Sequence, residues 1–248
     1  MKIGLFGDSF GAPTRTPTSG DPNRAMKYHW ATLLANDIGG TVTVEAVSGS
    51  SLYYSYKKFL ETHHLYDTIF ITVTDCGRYP TPIGTDIFVT GLDQISHLKN
   101  DHNFKSHEEL DRLSGWFTGN CYEFLINAAD LMIDKILQIR PDALLVPVNE
   151  GCMSKQTFSR LGLEPSNNLL DLYYEQIAQL DVPNDSLNIT RVESPELISG
   201  HFVPEMHEHF YTIFKERYHT GKWVWKRTPR LKFKYSATDY YPFINQGE

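Results

Sequence analysis

Five short apolar runs punctuate this chain: Lys2 to Phe6, Val42 to Val47, Thr68 to Val73, Ala143 to Val148 and Leu187 to Val192. Each is β-compatible, and helical patterns lie between them. Tyr28 to Ile38 and Tyr53 to Thr62 are amphipathic at helical spacing, and Tyr122 to Ile139 carries a long apolar face that Pro141 ends. Strands alternating with helices at this spacing pair in parallel through right-handed crossovers, which covers both faces of the sheet. The pattern predicts an α/β protein, a three-layer α/β/α sandwich around a central, mostly parallel five-stranded sheet.

With 248 residues, 41% of them hydrophobic and 13% aromatic, the chain can bury a sizeable core and lacks the composition of a disordered one. One principal domain, residues 1–221, accounts for the alternating pattern, and residues 222–248 form a basic and aromatic extension. No run of about 18 apolar residues offers a membrane span. Met1 opens directly into the first strand, without the charged leader and hydrophobic region of a secretory signal. The three cysteines, Cys76, Cys121 and Cys152, are widely spaced and odd in number, which suits free thiols in a reducing compartment better than a disulfide framework. These features predict a cytoplasmic protein.

The first apolar run gives way to Gly7-Asp8-Ser9-Phe10-Gly11. The two glycines permit backbone conformations that a Cβ would penalise, so a hydroxyl can sit at the strand's carboxyl edge, where ligands bind in open α/β sheets. A neighbouring helix N-terminus there offers amide donors and positive potential to a developing oxyanion. Ser9 is therefore a candidate nucleophile. The competing assignment is local: Asp8 or Ser9 caps the next helix. Three more blocks follow in order. Ala46-Val47-Ser48-Gly49-Ser50-Ser51 ends the second run, Thr72-Val73-Thr74-Asp75 ends the third, and His201-Phe202-Val203-Pro204-Glu205-Met206-His207 precedes a C-terminal helical stretch.

In their order, these blocks resemble those of the SGNH (GDSL-type) serine hydrolase family, from Gly7 to about residue 209. The resemblance implies a flavodoxin-like sandwich with Ser9 as nucleophile and His201 as general base. It also implies an oxyanion site from the amides of Ser9 and Gly49, with Thr74 standing where the family has an asparagine donor. The family's aspartate, three residues before the histidine, is replaced by Ile198. Glu196 or Glu193 reaching round to the ring, or a backbone carbonyl, remain the alternatives for orienting it. Chemistry needs the pair, because a serine hydroxyl is a poor nucleophile near neutral pH until a base within hydrogen-bond reach takes its proton.

The remaining histidines do not suggest a metal. His207 and His209 are two apart and point to different faces of a helix, whereas a helical metal pair needs a separation of three or four, and no CxxC cluster is present. Two insert-like stretches, Ala12 to Arg24 and Tyr79 to Thr118, leave strands at the same edge, where loops carry specificity. Arg24, Tyr79 and Trp116 are candidate substrate contacts, with Asp8 and Asp75 beside the blocks. Arg78 can pair with a carboxylate, steer an anionic ligand or form a surface ion pair.

The net charge is −7, yet Lys222, Lys226, Arg227, Arg230, Lys232 and Lys234 fall in one stretch with no acid among them. Folding back onto the acidic remainder of its own domain is the favoured role for this segment. The interleaved Trp223, Trp225, Phe233 and Tyr235 equally suit a terminal strand or an oligomer contact, and nucleic acid is the less favoured partner. The sequence thus predicts a serine esterase that acts on a small-molecule or carbohydrate ester with no cofactor. The alternative is a catalytically inactive binding or structural module on the same fold.

Overall fold

The computed structural model describes residues 1–12, 29–47, 50–80, 89–90, 121–180 and 202–233. Its strands are β1 (Lys2–Phe6), β2 (Thr41–Val44), β3 (Thr68–Val73), β4 (Tyr79–Pro80), β5 (Val89–Thr90) and β6 (Leu144–Pro147). Its α-helices are α1 (Trp30–Asp37), α2 (Leu52–Thr62), α3 (Cys121–Ile139), α4 (Lys155–Arg160), α5 (Leu169–Leu180) and α6 (Pro204–Thr220). Among the described residues the main sheet has four strands in the order β2-β1-β3-β6, every pair parallel. That is one fewer than the five expected, and the missing run, Leu187 to Val192, lies outside the described residues. β4 and β5 form a separate antiparallel pair.

Alternation along the strands builds two apolar layers. Ile3, Leu5, Phe70, Leu144 and Val146 point to one face and bury α1, α5 and α6 against it. Phe6, Ile69, Ile71, Val73 and Leu145 point to the other, against α2, α3 and α4. Trp30 anchors the first layer with no exposed surface, its ring edge-on to Phe210 and Phe214 at centroid distances of 5.2 and 4.7 Å. The α/β/α layering follows from covering both faces of a parallel sheet.

Local chemistry sets the helix ends. The Ser51 hydroxyl accepts from Tyr54 N at 3.1 Å to start α2, and the Ser154 hydroxyl accepts from Thr157 N to start α4. Pro204 sits in the first turn of α6, where a missing N–H costs nothing, and Gly221 closes that helix at φ 71°. β2 is shorter than the run Val42 to Val47, because beyond Val44 only single bonds continue the pairing, Glu45 N to Leu5 O and Val47 N to Gly7 O.

Past Gly221 the described part of the extension forms neither helix nor strand. It lies across α5 and α6 with Trp223, Trp225, Leu231 and Phe233 packed inward and its lysines and arginines exposed. Gln179 holds it at two points, donating to Pro229 O at 3.1 Å and accepting from Leu231 N at 2.8 Å. Lys226 pairs with Glu216 at 2.8 Å. Apolar and polar contacts together tie the segment to its own domain. Among the described residues, no helix is long and apolar enough to cross a membrane.

Candidate active site

β1 lies inside the sheet, with β2 on one side and β3 on the other. The chain leaves β1 for one neighbour and returns to the other, so a crevice opens at the carboxyl ends between β1 and β3, the position where open α/β sheets bind ligands. Gly7-Asp8-Ser9 is the first segment beyond β1, and Thr74 to Arg78 the first beyond β3. The two segments are bonded to each other.

Asp8 is the hub. Its side chain has no exposed surface. Oδ1 accepts from Phe10 N at 3.1 Å and from the Thr72 hydroxyl at 3.3 Å, while Oδ2 accepts from the Thr74 hydroxyl and from Arg78 Nη1, each at 2.9 Å. Asp8 N donates back to Thr72 Oγ1 at 3.2 Å. The Asp8 carbonyl accepts from Gly11 N and Ala12 N at 3.0 and 2.8 Å, closing a turn with Ser9 as its second residue. These bonds saturate the carboxylate, so Asp8 shapes the turn.

Gly7 is required at its position. Its φ is 136°, and a Cβ there would meet Thr72, lying 2.9 Å from Thr72 Cβ and closer still to Thr72 Oγ1. Only a bare Cα lets the turn reach the Thr72 hydroxyl. The Ser50 hydroxyl donates to Gly7 O at 2.9 Å and ties in the segment after β2.

Of the sequence-derived candidates, Ser9 lies at this edge, 8% exposed. The hydroxyl of Thr74 is buried and donates its one proton to Asp8, so it would have to turn away from the carboxylate to serve an oxyanion. Arg78 forms the carboxylate pair, with its own side chain 31% exposed. Asp75 is tied down by Gly77 N on Oδ1 and by Asn149 Nδ2 on Oδ2, both at 2.6 Å. Tyr79 opens the β4–β5 pair. Gly49, His201, Glu193, Glu196, Arg24 and Trp116 lie outside the described residues. Phe202, the residue after His201, is described: its ring packs edge-on against Phe10, the residue after Ser9, with centroids 5.4 Å apart.

The structure adds Asn149 and His29, which sequence reasoning passed over, and gives His207 a place beside His29. Asn149 follows β6 and joins that strand's loop to Asp75, while its Oδ1 accepts from Gly151 N at 3.0 Å. Its place at a strand's carboxyl end was the available signal. His29 and His207 meet at the start of α1. His29 Nδ1 accepts from Ala31 N at 3.3 Å, and His207 Nδ1 accepts from Trp30 N at 3.4 Å, so two imidazoles cap the helix. Their ring centroids are 4.9 Å apart. Burial lowers the His29 pKa to about 4, opposed by the bond to the Phe10 carbonyl. Burial also holds His207 well below the ordinary histidine value, with His29 adding to the effect. Both rings are neutral bases near pH 7.

Two buried cysteines, Cys76 and Cys152, lie in the loops after β3 and β6. Burial pushes the Cys152 thiol far up, which removes it as a nucleophile. No group of three or more His, Cys, Asp or Glu side chains among the described residues is arranged to hold a metal ion. No protein-family model, curated protein or solved structure matches the chain.

Proposed function

We propose that this chain is a serine esterase of the SGNH type. Ser9 Oγ adds to an ester carbonyl while the His201 imidazole takes its proton, and the amides of Ser9 and Gly49 stabilise the tetrahedral oxyanion. Collapse of that intermediate expels the alcohol, which takes its proton from His201. Water then repeats the sequence on the acyl-serine, releasing the carboxylic acid and restoring Ser9. Glu196, Glu193 or a backbone carbonyl orients His201. The steps need no metal or organic cofactor, and the substrate is a small-molecule or carbohydrate ester.

The observation that carries this reading is the packing of Phe10 against Phe202. It joins the chain position after the serine to the one after the histidine across most of the sequence, at the edge of β1. Two others support it: the strand order β2-β1-β3-β6 matches the first four strands of the flavodoxin-like order, with its switch point at β1 and β3, and the Asp8 bonds hold the serine's turn rigid. Hydrolysis of short-chain acyl esters, lost in both Ser9→Ala and His201→Ala with the fold retained, is the expected result. Undiminished hydrolysis by either purified variant removes the assignment.

A second reading rests on Thr74. Its hydroxyl is committed to Asp8 where the family has an oxyanion donor, which favours a binding module that holds a ligand without turning it over. Turnover of acyl esters separates the two.

A further inference from the structure

Four rings form one cluster beneath the proposed site. Phe202 packs on Phe10 at 5.4 Å and on His207 at 5.5 Å, and His207 stacks on His29 at 4.9 Å. His29 closes the circuit, since its Nε2 lies 3.3 Å from the Phe10 carbonyl, which also accepts from Trp30 Nε1 at 3.4 Å. The carbonyl after the nucleophile is thus held by one of the two imidazoles, and the residue after the proposed base rests on the other. His207 Nε2 is buried and has no hydrogen-bond partner among the described residues.

The bonds dictate the protonation states. Each Nδ1 accepts a helix amide, so each ring carries its proton on Nε2. A second proton on either ring would turn that Nδ1 into a donor facing an N–H. It would also put a cation at the positive end of α1 in a site lined by Phe10, Trp30, Phe202 and Phe210. Charged groups on the elements packed there are turned elsewhere or do not perturb the rings. Asp8, on the nucleophile turn, is bonded to Arg78. At the far end of α1, Asp37 pairs with Lys215 of α6. On α5, Glu175 acts on His209, and Glu205, Glu208 and His209 complete the first turns of α6. Among the described residues, His29 is the titratable group that acts on His207 through its charge.

We propose that His29 and His207 are positioning residues, a neutral imidazole pair that holds the Ser9 turn against the segment following His201 and releases it when either ring is protonated. The catalytic part of this proposal rests on the esterase reading. The device makes the site sensitive to acid through two groups that do not touch the substrate.

The test follows the imidazole nitrogens and the Trp30 indole N–H by NMR from about pH 7.5 to about pH 4.5, in wild type and in His29→Asn/His207→Asn. Asparagine Oδ1 keeps a short cap acceptor but cannot gain a proton. Both wild-type rings should show the Nε2–H neutral form with no titration near the ordinary histidine value, and the Trp30 signal should move only as the pH approaches the acid end. In the double variant that movement should shift down by roughly half a pH unit or more. The acid limb of ester hydrolysis should shift with it, and near neutral pH kcat should fall while KM changes little, because asparagine keeps the cap but not the His29 Nε2 contact to the Phe10 carbonyl. Should the double variant fail to fold, the wild-type titration alone decides. Rings that titrate at the ordinary value without disturbing Trp30, or a double variant that follows the wild-type curve, overturn the proposal. Absence of ester turnover with the NMR result intact removes the esterase reading and leaves the structural pair standing.

Discussion

Replacing Arg78 by glutamine tests whether the Asp8 hub holds the site together. The substitution leaves a carboxylate with no exposed surface bonded to two hydroxyls and one amide but deprived of its cation. Removing one partner of a buried ion pair costs about 3–5 kcal/mol, because the remaining charge stays desolvated. The Arg78 side chain is 31% exposed, so water screening brings the expected loss down to about 2–3 kcal/mol. That is a large share of the roughly 5–15 kcal/mol that stabilises a typical domain. Urea unfolding followed by tryptophan fluorescence reads the loss as a lower midpoint at unchanged slope. Asp8→Asn should also destabilise, since its amide nitrogen cannot accept from Thr74 or Arg78. The double variant should cost at least about 1 kcal/mol less than the two single losses added together. A loss below about 0.5 kcal/mol in Arg78→Gln, the range of an ordinary surface substitution, would show that Asp8 does not depend on its cation, as would additive effects in the cycle.

Three more outcomes follow from the same geometry. Gly7→Ala combines a φ of 136° with a clash against Thr72 and should cost about 3 kcal/mol or more, a fall of roughly 6–12 °C in Tm by calorimetry; an unchanged Tm contradicts it. His29 has a folded pKa of about 4 against 6.5 for an ordinary histidine, so the fold favours its neutral form. That stability is complete above about pH 6.5 and is lost as the pH falls toward about 4, amounting to about 3 kcal/mol. Between about pH 6.5 and pH 4 the urea midpoint should fall more steeply in wild type than in His29→Asn, and parallel curves would show that the ring carries no such load. Cys152, buried and with its thiol pKa raised, should remain unalkylated by iodoacetamide in the native protein at neutral pH; rapid modification on peptide mapping contradicts the packing.

The layering was legible because burial alternates along strands and helices bury one stripe, and both leave a period in the sequence. Lys2 to Phe6 and Thr68 to Val73 form strands with the ends expected, and α3 stops at Ile139, before Pro141. What escaped depends on contacts between distant segments. Asp8 reads as a cap or a ligand contact when only its neighbours are known, and becomes a buried hub once Thr72, Thr74 and Arg78 arrive from β3 and its loop. His29 carries no local signal, since histidine is an uncommon cap and its partner His207 lies at the other end of the chain. The folding back of residues 222–233 was legible from their charge, as the Lys226–Glu216 pair shows, whereas the inward packing of Trp223 and Trp225 adds an apolar contact that charge alone does not indicate.

If Ser9 is a nucleophile activated by His201, as proposed, a fluorophosphonate probe forms a covalent bond to it. The expected result is a single adduct that maps to Ser9, absent in Ser9→Ala and strongly reduced in His201→Ala. An intact, folded protein that takes up no probe, or one labelled at a different residue, contradicts it.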